Sequence, residues 1–127
     1  MSVARRPADR LGVCLTGCGG MGRRHLTGYT ALAAAGHLRA DIVAVFDLRA
    51  EAAEALADEA ERLLGRRPRV HTSLESALDD DAVDALDIVT DPRSHHAIAL
   101  AAFASGRHVL SEKPIALTVR AGMAMVG

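Results

Sequence analysis

Three glycines near the start of the chain are spaced as in a turn that binds a diphosphate. Gly17, Gly19 and Gly22 fit G-x-G-x-x-G, directly after an apolar run and at the start of a segment of helical period. Gly17 would permit the tight turn, Gly19 the approach of backbone to a diphosphate, and Gly22 close packing of helix on strand. The backbone N–H groups around Gly20 and Met21 would face the phosphates at the positive end of the helix dipole. A glycine-rich corner without a ligand is the alternative, but the strand-turn-helix context favours binding.

An aspartate follows the second apolar run, 25 residues after Gly22. A carboxylate at this place can accept hydrogen bonds from both hydroxyls of an adenosine ribose, and it repels a 2′-phosphate. Asp47 therefore predicts NAD as the cofactor. Two alternatives stay open, because Asp47 could instead cap the next helix and Arg49 could accommodate the 2′-phosphate of NADP.

The single lysine of the chain, Lys113, comes at the end of the fifth apolar run. Open α/β sheets bind their ligands at the carboxyl ends of the strands. Pro114 restricts Lys113 to an extended conformation, and an ammonium there can hold a substrate hydroxyl or help to move its proton during hydride transfer. A solvated lysine in a turn is equally consistent with the local chemistry.

Cysteines and histidines indicate no further site. Cys14 and Cys18 match no CxxC pair, and we interpret them as reduced, buried thiols. His95 is expected one turn into a helix near the same strand ends, and His25 is expected to pack at an apolar edge. His71 has no identifiable partner. We identify no Ser-His-Asp constellation and no group of metal ligands, so no metal is predicted.

Short apolar runs alternate with alanine-rich segments of helical period, which is typical of βαβ units with a parallel sheet. Strands are predicted over 11–16, 41–46, 69–72, 85–90 and 108–111. Helices are predicted over 20–35, from after Asp47 to residue 64, over 73–78 and 92–105, and from Thr118 onward. The third strand is expected at an edge because Pro68 opens it. The predicted fold is α/β, a Rossmann-type doubly wound parallel sheet of about five strands in the order 3-2-1-4-5, with the ligand between strands 1 and 4.

Composition excludes several classes of function. The net charge is −1 and three residues are aromatic, so the chain has neither a basic surface nor a stacking platform for nucleic acid. No apolar run approaches the roughly 18 residues that a membrane span requires. We expect residues 1–10 to be a disordered lead and 11–127 to be one dinucleotide-binding domain. Without a recognisable leader, the expected compartment is the cytoplasm.

Several motifs together point to a family. The chain combines Gly-x-Gly-x-x-Gly-Arg-x-His, a strand-end aspartate, a Thr-x-Pro-x-x-His-type turn and Glu-Lys-Pro. In this combination it resembles the amino-terminal domain of the glucose–fructose oxidoreductase/inositol dehydrogenase/MocA (Gfo/Idh/MocA) family. The resemblance covers nearly the whole chain from Leu11 and is most specific between Ala85 and Thr118.

The resemblance implies an NAD(P)-binding domain of an oxidoreductase that transfers hydride between the nicotinamide and a secondary alcohol or ketone of a sugar or cyclitol. It places Lys113 beside nicotinamide and substrate as the catalytic residue, and it places Glu112, Thr90 and His95 near the cofactor. The family usually has Thr-Pro-Asn after the fourth strand, whereas here Asp91 follows Thr90.

Family members also have a second α/β domain, which supplies further catalytic groups and most of the oligomer interface. The resemblance therefore implies that residues 1–127 bind cofactor without turnover, and that the whole protein is a homo-oligomer acting on a polyol or sugar. A non-catalytic NAD-sensing or regulatory module is the alternative. A reductase of the homoserine or dihydrodipicolinate type is disfavoured because such enzymes lack Glu-Lys-Pro.

Overall fold

The computed structural model describes residues 10–90 and 92–111. The elements are β1 (Leu11–Thr16), α1 (Gly20–Ala34), β2 (Ala40–Phe46), α2 (Ala50–Leu64), β3 (Arg69–His71), α3 (Leu74–Leu78), β4 (Ala85–Ile88), α4 (Pro92–Ala104) and β5 (His108–Ser111). The predicted lead, apart from Arg10, and the predicted helix from Thr118 lie outside the described residues. Within that described part, no helix combines the length and apolar character needed to span a bilayer.

The five strands form one parallel sheet in the order β3-β2-β1-β4-β5. This order confirms the predicted Rossmann-type topology, and β3 lies at an edge as expected. The strand order reverses at β1, so the carboxyl ends of β1 and β4 flank the crevice where such sheets bind ligands. β4 ends at Ile88, two residues earlier than predicted and level with the end of β1 at Thr16, although Val89 N still donates to Thr16 O at 2.8 Å.

The pairing of β1 with β2 contains one irregularity. Val13 pairs with Ile42 and Cys14 pairs with Ala44, so Val43 is an extra residue in β2. Val43 and Ala44, although consecutive, both belong to the core on the same face of the sheet. The extra residue behaves as a β-bulge and brings β2 to its end level with β1.

Each face of the sheet carries its own hydrophobic core. The core between the sheet and helices α1 and α2 includes Val13, Leu15, Leu26, Val45, Ala53, Leu56, Ala57 and Ala60. The core between the sheet and helices α3 and α4 includes Cys14, Phe46, Ala77, Leu86, Ile88, Ile98, Ala99 and Ala102. Small alanine side chains let the helices lie close to the sheet, as a core poor in aromatic rings requires. The two layers hold the ends of β1, β2 and β4 in fixed relation.

Candidate functional site

The predicted diphosphate-binding turn connects the end of β1 to the start of α1. Gly17 has a φ of +104°, a conformation that side chains disfavour, and a Cβ there would lie 2.9 Å from Thr90 N. A Cβ on Gly22 would lie 2.3 Å from Gly17 O. Gly17 therefore requires glycine because of its φ and of the segment after β4, and Gly22 requires it because of the turn itself.

The third glycine of the pattern has a different environment. Among the described residues, nothing lies within 4 Å of a Cβ added at Gly19, so the space beside it is open. Gly19 is the N-cap of α1 and provides no side-chain cap, and the first turn of that helix contains no acidic residue. Gly20 and Met21 are exposed next to it. The N–H groups and the positive dipole end of a 15-residue helix thus face an open space, as an anion site requires.

Asp47 connects the end of β2 to this turn. Its Oδ2 accepts a hydrogen bond from Cys18 N at 2.9 Å, and its Oδ1 accepts one from Arg49 N at 2.9 Å. Its side chain is 16% exposed. Because the N-cap of α2 is Arg49, the alternative in which Asp47 caps that helix is wrong. The carboxylate lies directly beside the glycine-rich turn.

Arg49 contributes a positive charge at the same place. Its Nε lies 3.9 Å from Asp47 Oδ1, and its side chain is 68% exposed. A carboxylate and a guanidinium therefore lie side by side at the carboxyl end of β2. The carboxylate of Asp47 is held by two backbone N–H groups, whereas the side chain of Arg49 extends into solvent and can reorient.

The two cysteines are free and buried, which confirms their interpretation as thiols without a disulfide. Burial, followed by the charge of Asp47, raises the pKa of Cys18 to about 12. Burial likewise raises the pKa of Cys14 to about 12. Both thiols are therefore neutral near pH 7, so Cys18 packs in the turn and does not act as a nucleophile.

The segment after β4 closes the other side of the turn. Thr90 contacts Gly17 through its backbone, as the short distance to a Cβ at that glycine shows. The Oγ1 atom of Thr90 is buried and has no hydrogen-bond partner among the described residues. His95, in α4, is 1% exposed, and its Nε2 donates to Thr90 O at 2.6 Å. Thr90 thus borders the site, and His95 lies behind it.

A buried carboxylate under α1 was missed by the sequence reasoning. Asp87 lies in β4 with its side chain 1% exposed. Its Oδ2 accepts hydrogen bonds from His25 Nδ1 at 2.7 Å and from Tyr29 OH at 3.0 Å. The expectation that His25 packs at an apolar edge is therefore wrong. The signal in the sequence was the charged residue inside an otherwise apolar strand.

A Ser-His-Asp cluster is present, contrary to the expectation that none would be found. It consists of Ser76, His71 and Asp80, at the edge of the sheet next to β3. The sequence alone did not reveal it, because the partners of His71 lie in and after a separate helix. Across the described ranges, no group of three or more His, Cys, Asp or Glu side chains is arranged to hold a metal.

Glu112 and Lys113, expected beside the nicotinamide, lie outside the described residues. β5 ends at Ser111, immediately before them, and pairs in parallel with β4. Their positions in the chain therefore follow a strand whose carboxyl end is at the same edge of the sheet as the glycine-rich turn.

Residues 11–127 match the oxidoreductase family GFO_IDH_MocA, described as having an NAD-binding Rossmann fold. The chain belongs to this family. Membership confirms the resemblance and the NAD-binding Rossmann fold, and it decides against a reductase of the homoserine or dihydrodipicolinate type.

Similar proteins include sugar and cyclitol dehydrogenases. Levoglucosan dehydrogenase of Pseudarthrobacter phenanthrenivorans is 36% identical over 117 residues, which cover 92% of this chain and 30% of that protein. Inositol 2-dehydrogenase 2 of Saccharopolyspora erythraea is 34% identical over 116 residues, covering 91% of this chain and 32% of that protein. The chain thus spans about a third of the length of these relatives.

Solved structures show the same likeness. The myo-inositol dehydrogenase from Lactobacillus casei, in complex with NAD(H) and myo-inositol, superposes with a TM-score of 0.76 at 32% identity. The match covers 91% of this chain and 32% of that one. The NAD prediction made from Asp47 agrees with the cofactor in that structure.

Proposed function

We propose that this chain is the NAD-binding part of a dehydrogenase that transfers hydride between nicotinamide and a secondary alcohol or ketone of a sugar or cyclitol. One observation carries the proposal: the open N-terminus of α1 beside Gly19 lies next to an anchored carboxylate, Asp47. The likeness to levoglucosan and inositol dehydrogenases supports the class of substrate.

The diphosphate half of the site follows from the turn. Gly17 and Gly22 shape the backbone, and the N–H groups of Gly20 and Met21 would bind the diphosphate oxygens beside the open space at Gly19. These donors need no side chain to be ordered before binding. The same helix dipole that attracts the diphosphate is uncompensated by any acidic residue in the first turn.

The adenosine half of the site follows from Asp47. Each of its carboxylate oxygens already accepts one backbone N–H, and each retains a further acceptor position. Asp47 would use these positions for the two ribose hydroxyls, so the two backbone bonds orient it in advance. A 2′-phosphate would bring negative charge against this carboxylate, while the exposed Arg49 would partly compensate that repulsion.

The nicotinamide half would lie against Thr90. The buried Oγ1 of Thr90 lacks a partner within the described part of the chain, and a polar group of the bound cofactor would satisfy it. His95 would act as a positioning residue, since it holds the Thr90 carbonyl from behind. When bound, the nicotinamide supplies or accepts the hydride.

Lys113 would supply the proton chemistry. Its ammonium would hold the reacting hydroxyl oxygen of the substrate and exchange a proton there, and Glu112 would lie on the cofactor side. Residues 1–127 alone would bind the dinucleotide without turnover, because relatives have roughly two thirds of their length outside the matched stretch. The homo-oligomeric state of the whole protein stays a prediction.

Calorimetric titration of the chain with NAD and NADP tests this proposal. We expect NAD to bind more tightly than NADP. Asp47→Ala should lower the ratio of the NAD affinity to the NADP affinity at least about tenfold, close to 1.4 kcal/mol. The ratio is the decisive quantity, because a turn loosened by loss of the Cys18 contact would weaken both dinucleotides alike.

Asp81→Ala is the matched control, because Asp81 is an exposed aspartate in the loop after α3. It should leave the ratio unchanged. Equal affinity of the wild-type chain for both dinucleotides would remove the ribose assignment, and no binding of either would remove the proposed function. Steady-state dehydrogenase activity of residues 1–127 would contradict the absence of turnover.

A further inference from the structure

A Ser-His-Asp cluster lies outside the dinucleotide site. His71 ends β3, Ser76 lies in α3 and Asp80 follows that helix. The Oγ of Ser76 donates to His71 Nδ1 at 2.6 Å, and Nε2 of His71 donates to Asp80 Oδ2 at 3.0 Å. A hydroxyl, an imidazole and a carboxylate bonded in this order are the arrangement by which a serine is activated as a nucleophile.

The carboxylate is well fixed. The side chain of Asp80 is 1% exposed, and its Oδ1 accepts hydrogen bonds from Arg69 Nη1 at 2.8 Å and from Ala82 N at 3.0 Å. Its Oδ2 is left to His71, whose side chain is 11% exposed. A carboxylate bound to Nε2 fixes the tautomer with the proton on that nitrogen. The lone pair of Nδ1 therefore faces the hydroxyl of Ser76.

The hydroxyl is accessible to a reactant. Ser76 is exposed, and it borders a shallow cavity of about 460 Å³. The cavity is lined by Arg69, His71, Ser73, Glu75, Ser76, Asp79 and Asp80. Arg69 is 58% exposed at this cavity, and its Nη1 is held by Asp80 Oδ1.

We propose that Ser76 is a nucleophilic serine that accepts an acyl group from a small activated carboxylic ester. The Oγ of Ser76 forms a bond to the carbonyl carbon while its proton passes to Nδ1 of His71. The bond between that carbon and the leaving oxygen then breaks, and the leaving oxygen takes the proton from His71. The products are an ester of Ser76 and a free alcohol, and no oxidation or reduction occurs.

Acetylation of the chain by p-nitrophenyl acetate, followed by peptide mass spectrometry, tests the proposal. Ser105 is an internal reference, because it is an exposed serine whose Oγ donates to a backbone carbonyl, that of Ala101. General base catalysis contributes about 100-fold or more, so Ser76 should be acetylated about 100 times faster than Ser105. Equal rates at the two serines would overturn the proposal.

Two variants separate activation from mere exposure. Ser76→Ala should remove the fast acetylation, and His71→Asn should slow acetylation of Ser76 about 100-fold while circular dichroism shows the fold intact. Fast labelling of Ser76 in folded His71→Asn would also overturn the proposal.

If His71→Asn does not fold, the comparison of Ser76 with Ser105 in the wild-type chain decides, because that comparison needs no variant. Binding of NAD is not needed for any of these outcomes, so the proposal stands apart from the dehydrogenase function.

Discussion

Asp87 connects α1 to the middle of the sheet. His25 and Tyr29, one turn apart on that helix, both donate to the same carboxylate oxygen. A hydrogen bond to a charged group contributes about 1.5–3 kcal/mol to stability. The contact is made six to ten residues beyond the N-cap of α1, so it fixes the helix whose first turn faces the proposed diphosphate position.

Tyr29 gives a direct measure of this contact. Burial, then the charge and the hydrogen bond of Asp87, raises the pKa of Tyr29 above its ordinary value. The chain has one tyrosine and no tryptophan, so tyrosinate absorbance reports on Tyr29 alone. We expect the folded chain to show no tyrosinate until well above about pH 10. Asp87→Asn should lower the midpoint, because the charge of Asp87 is removed while an acceptor oxygen remains, whereas Asp81→Asn should not. A wild-type midpoint at the ordinary value would contradict the contact.

The residues of the site differ in how far the sequence could predict them. Gly17, Gly19, Gly22 and Asp47 are set by local patterns at the ends of strands, and they lie where the patterns indicate. The partners of Asp87 are 58 and 62 residues away, so they depend on which face of β4 meets α1. That face follows from packing, which no single segment specifies.

At the scale of the elements, two of the three glycines in α1, Gly22 and Gly28, have opposite consequences. Gly22 packs against the carbonyl of Gly17, whereas a Cβ at Gly28 would meet no described atom within 4 Å. The first glycine is needed for the close approach of helix and turn. The second lies in a helix interior, where glycine only adds conformational entropy to the unfolded chain.

These two positions make a matched pair of variants. Gly22→Ala should destabilise the chain and weaken NAD binding more than about tenfold, because the turn must move to relieve the contact with Gly17 O. Gly28→Ala should stabilise the chain by about 0.5–1 kcal/mol with unchanged NAD affinity. Urea unfolding and calorimetric titration measure both effects. An unaltered affinity in Gly22→Ala would show that the turn does not depend on this contact.

The strands and helices were largely predictable, since apolar runs and alanine-rich segments of helical period alternate along the described chain. The residues at which these elements end were less predictable. The segment 85–90 was predicted as strand to Thr90, but β4 stops at Ile88, level with the end of β1 at Thr16. Where a strand ends depends on its pairing with neighbouring strands, which the strand's own sequence does not specify.

For the whole molecule, the buried thiols link stability to alkaline pH. The pKa values of Cys14 and Cys18 rise from an ordinary value of 9.0 to about 12 in the fold. Between these values the unfolded chain releases protons that the folded chain retains, so stability is complete below about pH 9 and falls as pH rises toward 12. Each thiol contributes a slope of about 1.4 kcal/mol per pH unit.

Urea unfolding at several pH values above neutrality measures this slope. Cys14→Ala should make the slope smaller, whatever its effect on stability near pH 7, because one linked proton is removed. Cys18→Ala is the matched variant and should reduce the slope similarly. A free energy of unfolding that stays constant up to about pH 11 would contradict the burial of both thiols.

The extra residue Val43 has a consequence for how β2 is interpreted. Strand residues alternate between faces, but at Val43 this alternation is broken, so every later residue of β2 has the opposite parity from its start. A regular ladder with the same sequence would move Asp47 one residue onward, about 3.3 Å, and turn it to the other side. The β-bulge at Val43 thus places Asp47, the residue proposed to distinguish NAD from NADP, where its carboxylate accepts a hydrogen bond from Cys18 N.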